Sequence, residues 1–262
     1  MNRGPSAVRS TRELRDANRR FYDALWADVR LVEPERFNTW PLLAPLVAAA
    51  RRRLEVGAGM RPRLPLAGTH FADISAPALA RLAARGGTAV LAPVTALPFP
   101  DAAFDLVCAL DIVEHVGDDE RALAELARVT SPGGVLFLSA PLHMALWTVF
   151  DDLVGHHCRY EPHELVAKLG QNGLAVERSA AYGMAPRSSR LLDLGMWWLT
   201  HRREQALWWY GHVFMPLAVR FQKKLRLAPG VIATDGVDEI LVVCRRRDSQ
   251  GSSEQACSEP PA

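Results

Sequence analysis

Short apolar runs alternate with helical stretches through the middle of the chain, and this alternation constrains the fold more than any other feature of the sequence. Strands that are buried on both faces of a parallel sheet read as near-continuous apolar runs, and helices usually connect them. The predicted strands lie at 53–56, 69–72, 89–92, 104–110, 135–139, 174–180 and 237–244. The pattern therefore predicts an α/β domain with a doubly wound, mostly parallel sheet of seven strands.

Start and stop residues place three helices between these strands, at 77–85, 119–129 and 162–169. Asp118 precedes the second helix as a capping residue, and Pro162 lies in the first turn of the third. Apolar residues at helical spacing over 12–50 predict an N-terminal cap of two helices. We assign residues 51–183 and 234–247 to the α/β domain, 184–233 to a Trp-rich helical insertion or lid, and 1–11 and 248–262 to disordered tails.

Composition excludes several classes of protein. The chain of 262 residues has 31 Lys and Arg against 29 Asp and Glu, and a net charge of +2 is too small for a general nucleic-acid binder. The four cysteines stand far apart, without zinc spacing, so we expect no structural metal and a reducing compartment. Without an apolar N-terminal run or a long apolar stretch, a cytoplasmic location is expected.

Two glycines one residue apart, Gly57 and Gly59, follow the first predicted strand. Backbone without a Cβ lets a ligand approach the strand end, although a tight turn between elements is an equally good explanation. A dinucleotide fingerprint requires a third glycine three residues after Gly59, where this chain has Pro62. The interpretation of this turn as a pyrophosphate site therefore loses support.

The second predicted strand ends at an acidic residue, Asp73. A carboxylate at this strand end, beside the glycine turn, is placed to accept both hydroxyl protons of a ribose. Asp73 could instead cap the following helix, but Ser75 is closer to the helix start and better placed for that role. We therefore predict that Asp73 binds a nucleoside sugar.

The sequence from about residue 51 to 180 resembles the class I S-adenosylmethionine-dependent methyltransferases. The similar stretches, in the family's order, are Leu54-Glu55-Val56-Gly57-Ala58-Gly59, Asp73-Ile74-Ser75, residues 97–107, Glu114-His115-Val116 and residues 128–134. The resemblance implies a Rossmann-like methyltransferase fold and S-adenosyl-L-methionine as the cofactor. It also implies that the cofactor contacts Glu55, Gly57, Ala58, Gly59, Asp73, Ile74, Val94 and Asp111.

Within that resemblance, Gly57 and Gly59 would flank the methionine part, Glu55 would support it, and Asp111 would face its amino-acid end. The backbone amide of Val94 would lie against the adenine. The chain departs from the family at Pro93, where many relatives carry an acidic residue, and in the short segment between Gly59 and Asp73. That segment contains two prolines, so we expect the first crossover helix to be shortened or replaced by a loop.

Three histidines near strand ends are candidates for removing a proton from a methyl acceptor: His115, His156 and His157. His115 could equally be a polar residue that packs a loop. Asp151, Asp152, Arg159 and Tyr160 lie near the His156–His157 pair, which favours a functional role for that loop.

The Trp-rich segment 184–233 has three interpretations. It could be a lid whose aromatic side chains fill an interface, a wall for a large apolar acceptor, or a peripheral membrane contact, since arginines and lysines flank its tryptophans.

These features lead to one main hypothesis, a methyltransferase acting on a small-molecule acceptor, with oxygen as the expected acceptor atom and a lipophilic compound among the candidates. The alternatives are a non-catalytic or membrane-associated protein with the same fold, and an NAD(P)-dependent oxidoreductase. Fold analogy alone does not choose among them.

Overall fold

The computed structural model describes residues 18–19, 22–23, 26, 29–183 and 189–248. Its strands are β1 (Arg53–Val56), β2 (Thr69–Asp73), β3 (Thr88–Leu91), β4 (Phe104–Leu110), β5 (Thr130–Pro141), β6 (Leu174–Tyr182), β7 (Ala228–Pro229) and β8 (Glu239–Arg246). They form one eight-stranded sheet in the order β3-β2-β1-β4-β5-β8-β6-β7.

The first five strands pair in parallel, and β8 runs antiparallel between β5 and β6. In the register, Arg53 of β1 pairs with Thr69 of β2 on one side and with Leu106 of β4 on the other. The strand order therefore reverses at β1, and ligands of such sheets bind outside the carboxyl ends of the strands at this point.

The helices of the described residues are α1 (Trp40–Ala49), α2 (Ala76–Ala83), α3 (Asp119–Val129), α4 (Val149–Val154), α5 (Pro162–Gln171), α6 (Ser189–His201), α7 (Arg203–Trp209) and α8 (Met215–Arg220). A π-helical segment, Tyr210–Phe214, joins α7 to α8, and short 3-10 helices occupy Pro34–Arg36, Val113–His115 and Met144–Leu146. The described residues between 18 and 26 are also helical.

Helices cover both faces of the sheet because side chains alternate along each strand. On β4, Val107 and Ala109 pack with α3 and α5, whereas Leu106 and Cys108 pack with α1. The doubly wound α/β fold predicted from the sequence is confirmed. The Asp118 side chain accepts a hydrogen bond from the Arg121 amide at the start of α3, as its position predicts.

The prediction of seven strands was wrong by one. The additional strand, β7, has two residues and pairs with Arg178 and Ser179 of β6, inside the segment predicted as a helical insertion. An edge strand this short has no alternating pattern that a sequence can show. Residues 189–220 of that segment are largely helical, whereas 184–188 and the predicted tails 1–11 and 249–262 lie outside the described residues.

No helix lies between β1 and β2, so the expected loss of the first crossover helix is confirmed. The Glu55 carboxylate at the end of β1 stabilises the replacement loop by accepting hydrogen bonds from the backbone amides of Arg63 (2.8 and 3.0 Å) and Leu64 (2.8 Å). Among the described helices, none is both long and apolar enough to cross a bilayer.

Candidate active site

The turn after β1 adopts a backbone conformation that favours glycine. Gly57 and Gly59 have φ angles of 71° and 53°, in the left-handed region. A Cβ at Gly57 would overlap Ile112, and one at Gly59 would come within 2.6 Å of the Trp26 ring. The turn therefore stays narrow and places its backbone at the carboxyl end of β1.

Asp73 at the end of β2 lies directly against this turn. Its carboxylate accepts hydrogen bonds from the amides of Gly59 (3.1 Å) and Ser75 (2.8 Å), and the residue is 9% exposed. Burial raises the pKa of Asp73, although these amides oppose the shift. A carboxylate has about four acceptor positions, and these amides leave at least one for a ligand. Ser75 is the N-cap residue of α2, as expected, but its hydroxyl donates to Asp23 (3.1 Å) and makes no capping hydrogen bond.

A cavity of about 410 Å³ opens at the carboxyl ends of β1, β2 and β4. Predicted cofactor residues that line it are Glu55, Gly57, Ala58, Asp73, Ile74, Val94 and Asp111. Gly59 does not line the cavity, but its backbone amide donates a hydrogen bond to the Asp73 carboxylate. The Val94 amide has no acceptor among the described residues. The structure thus brings the residues of four sequence segments together, as the resemblance implies.

Glu55 and Asp111 line the cavity, and Glu239 lies beside Asp111 without lining it. Asp111 has a left-handed backbone conformation, with a φ angle of 55°, and hydrogen bonds with Ser139 hold its amide and its carboxylate. Burial and the Asp111 charge raise the pKa of Glu239 well above its ordinary value. Burial raises the pKa of Glu55 to about 7, against the effect of its two amide donors.

Two arginines in the replacement loop line the cavity, and sequence analysis did not identify either as a site residue. Nη2 of Arg61, and Nε and Nη1 of Arg63, are buried without a hydrogen-bond partner among the described residues. Buried guanidinium donors usually have an acceptor. The available signal was the unusual Met60-Arg61-Pro62-Arg63 run after the glycine turn.

The N-terminal segment covers the cavity. Asn18, Tyr22 and Trp26 line it, Tyr22 stacks on Trp26 with ring centroids 5.8 Å apart, and the Arg61 guanidinium lies 4.9 Å from the Trp26 ring. Sequence patterning predicts helices here but gives no indication that they contribute to the site.

The three candidate histidines occupy different positions. His115 and His157 line the cavity, and His156 does not. Nε2 of His157 is buried without a partner among the described residues. Burial and neighbouring His156 lower the pKa values of His115 and His157, so both rings are neutral near pH 7.

His156 belongs to a buried polar network instead. Its Nδ1 bonds to Asp151 (2.8 Å), which also accepts from Nε of Arg159 (2.9 Å), and Arg159 donates to Asp238 (2.8 Å). Burial alone would raise the pKa of Asp151, but hydrogen bonds from His156 and Arg159 lower it below its ordinary value. Direct acid–base action by His156 on a bound acceptor therefore loses support. The centroid of the His156 ring lies 4.5 Å from that of the His115 ring, so His156 positions His115 by packing edge-on against it.

Glu114, His115 and His156 each place a potential metal-ligand atom within 4.8 Å of the others. The Asn18 amide donates to Nδ1 of His115 (2.7 Å) and to the Val154 carbonyl, so neutral His115 carries its proton on Nε2. A protonated nitrogen cannot bind a metal. His115 would have to release Asn18 first, and the expectation of no metal site stays a prediction.

Comparison with known proteins supports the resemblance to methyltransferases. Residues 54–138 match the methyltransferase domain family model. An uncharacterized methyltransferase of Mycolicibacterium gilvum is 32% identical over 130 residues, which are 46% of this chain and 49% of that protein. A demethylmenaquinone methyltransferase of Mycolicibacterium paratuberculosis is 40% identical over 84 residues, 31% of this chain and 36% of that protein. A malonyl-[acyl-carrier protein] O-methyltransferase of Erwinia billingiae is 46% identical over 85 residues, 30% and 34% of the two chains. The chain thus spans about half the length of the first of these relatives and about a third of the other two.

Solved structures share the fold. A SAM-dependent methyltransferase from Thermotoga maritima has a TM-score of 0.51 at 14% identity, over 80% of this chain and 91% of that chain. The cyclase SpnF has a TM-score of 0.51 at 16% identity, over 93% of this chain and 98% of that chain. The family match covers the strands that build the cavity, so residues 54–138 resemble a methyltransferase domain, and the chain shares the fold of solved S-adenosylmethionine-dependent methyltransferases.

Proposed function

We propose that this chain transfers a methyl group from S-adenosyl-L-methionine to a small-molecule acceptor. The observation that carries the proposal is the cavity where the Gly57–Gly59 turn lies against Asp73. Its volume of about 410 Å³ is in the range of small-molecule sites, about 300–1,000 Å³.

The residues present fit the cofactor. Asp73 retains at least one acceptor position for the ribose hydroxyls, and the unpartnered donors of Arg61 and Arg63 suit a carboxylate. The open Val94 amide suits a ring nitrogen of adenine. Pro93 offers no acidic side chain to the adenine amino group, so recognition of that group rests on other contacts.

The cofactor supplies an electrophilic methyl group on a sulfonium sulfur. In-line transfer of that group to an acceptor would require the protein mainly to align the two molecules and to exclude water. Asn18, Tyr22 and Trp26 cover the site and serve water exclusion. His157 lines the cavity and its buried Nε2 has no partner among the described residues, so it is the proposed acceptor of the proton that the methyl acceptor loses. His115 is the second candidate, but it could accept a proton only after its Nδ1 releases Asn18.

For the acceptor we propose O-methylation of a lipophilic compound. Trp26, Ile112 and Val116 contribute apolar surface to the cavity. Two relatives are named as an O-methyltransferase and as a demethylmenaquinone methyltransferase, which supports both parts of this proposal.

The oxidoreductase alternative has less support. No helix begins after Gly59, so the turn has no helix N-terminus to bind a pyrophosphate. The fold alone does not require methyl transfer, since the cyclase SpnF shares it, so the non-catalytic or membrane-associated alternative has to be tested by experiment.

Isothermal titration with S-adenosylhomocysteine tests the proposal directly. We expect saturable binding of the product cofactor and no heat with NADH at the same concentrations. Absence of binding at high micromolar S-adenosylhomocysteine would overturn the proposal, and NADH binding alone would favour the oxidoreductase. A screen of lipophilic hydroxyl compounds with a tritiated methyl donor would then identify the acceptor.

A further inference from the structure

The segment between β6 and β7 has two unlike faces. Its inner face packs on the N-terminal part of the chain: Leu199 and Tyr210 contact the cluster around Trp26, while Met215 and Val219 contact Phe37. We define the outer aromatic surface as the exposed side chains of Leu194, Trp197, Trp208, Trp209, Phe214, Leu217 and Phe221. Trp197, Trp208 and Phe221 are 54%, 50% and 76% exposed. Large aromatic side chains grouped at such exposure indicate an interaction surface.

The same local arrangement occurs twice on this surface. The Trp197 ring stacks on His201 with centroids 4.9 Å apart, and the Trp208 ring stacks on His212 at 4.6 Å. In each pair, Nδ1 of the histidine donates to the tryptophan carbonyl oxygen (2.8 and 2.9 Å). Stacking and hydrogen bonding hold both indoles in fixed outward positions.

Positive charge accompanies the aromatic residues. Residues 194–227 contain six basic residues and one acidic residue, Glu204, in a chain whose net charge is only +2. Arg202, Arg220, Lys223 and Lys224 are exposed, and no ion pair joins them to a carboxylate among the described residues. Asn38 holds this end of the segment in place through Gln222 (2.6 Å) and the Lys223 carbonyl (2.8 Å).

We propose that the outer aromatic surface binds the headgroup layer of an anionic phospholipid bilayer. Indole rings prefer the boundary between the headgroups and the acyl chains, and lysine and arginine side chains bind lipid phosphates while their stems stay in apolar surroundings. A second copy of the chain does not fit as well, because a two-fold contact would bring two basic segments together.

Membrane binding would bring the cavity close to the lipid. Tyr210 of the inner face has its ring 5.4 Å from the guanidinium of Arg61, a residue of the cavity wall. The segment that carries the outer aromatic surface therefore contacts the cavity wall through Tyr210. Lipid binding by the outer aromatic surface does not depend on methyl transfer.

Vesicle flotation of the full chain tests the proposal. We expect binding to vesicles that contain about one third phosphatidylglycerol and little binding to phosphatidylcholine alone, with loss at high salt. The variant Trp197→Ala/Trp208→Ala should lower the bound fraction at least tenfold. Lys223→Ala/Lys224→Ala should lower lipid affinity about 25-fold, since each cation near the surface contributes about fivefold.

Leu91→Ala is the matched control, because Leu91 is 65% exposed but lies on β3, outside the segment. It should bind vesicles like the unchanged chain, and the melting temperature of every variant shows that each is folded. Equal binding by the tryptophan variant, or no binding at millimolar lipid, would overturn the proposal. Size-exclusion chromatography would overturn the proposal in favour of self-association if it showed a dimer of the unchanged chain and a monomer of the tryptophan variant alone.

Discussion

At the residue scale, the proposed nucleoside site depends most on the Asp73 side chain, which lies against the glycine turn. Asp73→Ala should weaken binding of S-adenosylhomocysteine by about 1.5–3 kcal/mol, the usual contribution of hydrogen bonds to a charged group. Titration calorimetry measures this loss directly. Asp235→Ala, which removes an exposed carboxylate outside the cavity, should leave the affinity unchanged. Unchanged affinity in Asp73→Ala would mean that the ribose binds elsewhere.

Glu55 makes the folding stability depend on pH. Its pKa rises from 4.5 to about 7 on folding, so the folded state retains a proton that the unfolded chain has lost. The stabilisation from that proton is complete below pH 4.5 and is lost as the pH rises through 7. Between pH 4.5 and 7, the free energy of unfolding of Glu55→Gln should fall by about 3 kcal/mol less than that of the unchanged chain. Denaturant unfolding measures this difference. Parallel curves for the two proteins would contradict the raised pKa.

His157 is the proposed base, and its lowered pKa keeps the ring neutral at neutral pH. His157→Gln should lower kcat by about 10²–10⁴ and leave S-adenosylhomocysteine affinity unchanged. In the unchanged chain, kcat should fall only as the pH drops below the ordinary histidine value of 6.5. His163→Gln alters an exposed histidine of α5 and is the control. An equal fall in rate for His115→Gln alone would move the role to that residue.

At the element scale, the N-terminal cover and the replacement loop form one side of the cavity together. Trp26→Ala removes the stacking partner of Tyr22 and the contact with the Arg61 guanidinium. A cation–π contact of this kind contributes about 0.5–2 kcal/mol. The dissociation rate of S-adenosylhomocysteine should rise about three- to thirtyfold, on the scale of that lost energy. Stopped-flow fluorescence measures the rate, and Trp208→Ala, outside the cavity, should not change it. A rate unchanged by Trp26→Ala would show that the cover opens freely.

The elements that sequence analysis predicted best have strong local signals. Strand β4 and helix α3 have the predicted bounds, because an apolar run and a capped amphipathic stretch define them. The glycine turn and Asp73 were predictable for the same reason, since backbone freedom and a strand-end carboxylate are visible in the sequence. Arg61, Asn18 and Trp26 were not, because their contribution to the site depends on how distant segments pack.

At the scale of the whole molecule, ligand binding should stabilise the native state. At a concentration of S-adenosylhomocysteine about 100 times its Kd, the free energy of unfolding rises by about 2.7 kcal/mol. For a domain of this size the melting temperature should increase by about 5–10 °C. Calorimetry measures the shift, and NADH should give none. A shift with NADH alone would contradict the cofactor assignment.

The segment at 194–227 has six basic residues against one acidic residue, so the remainder of the chain is net negative although the whole is +2. Such a separation gives the molecule an electric dipole moment. Near a negatively charged surface, this dipole produces a torque that turns the tryptophan-bearing side toward that surface before contact. Encounters would then be oriented in advance, and their frequency would fall with ionic strength even where final affinity changed little.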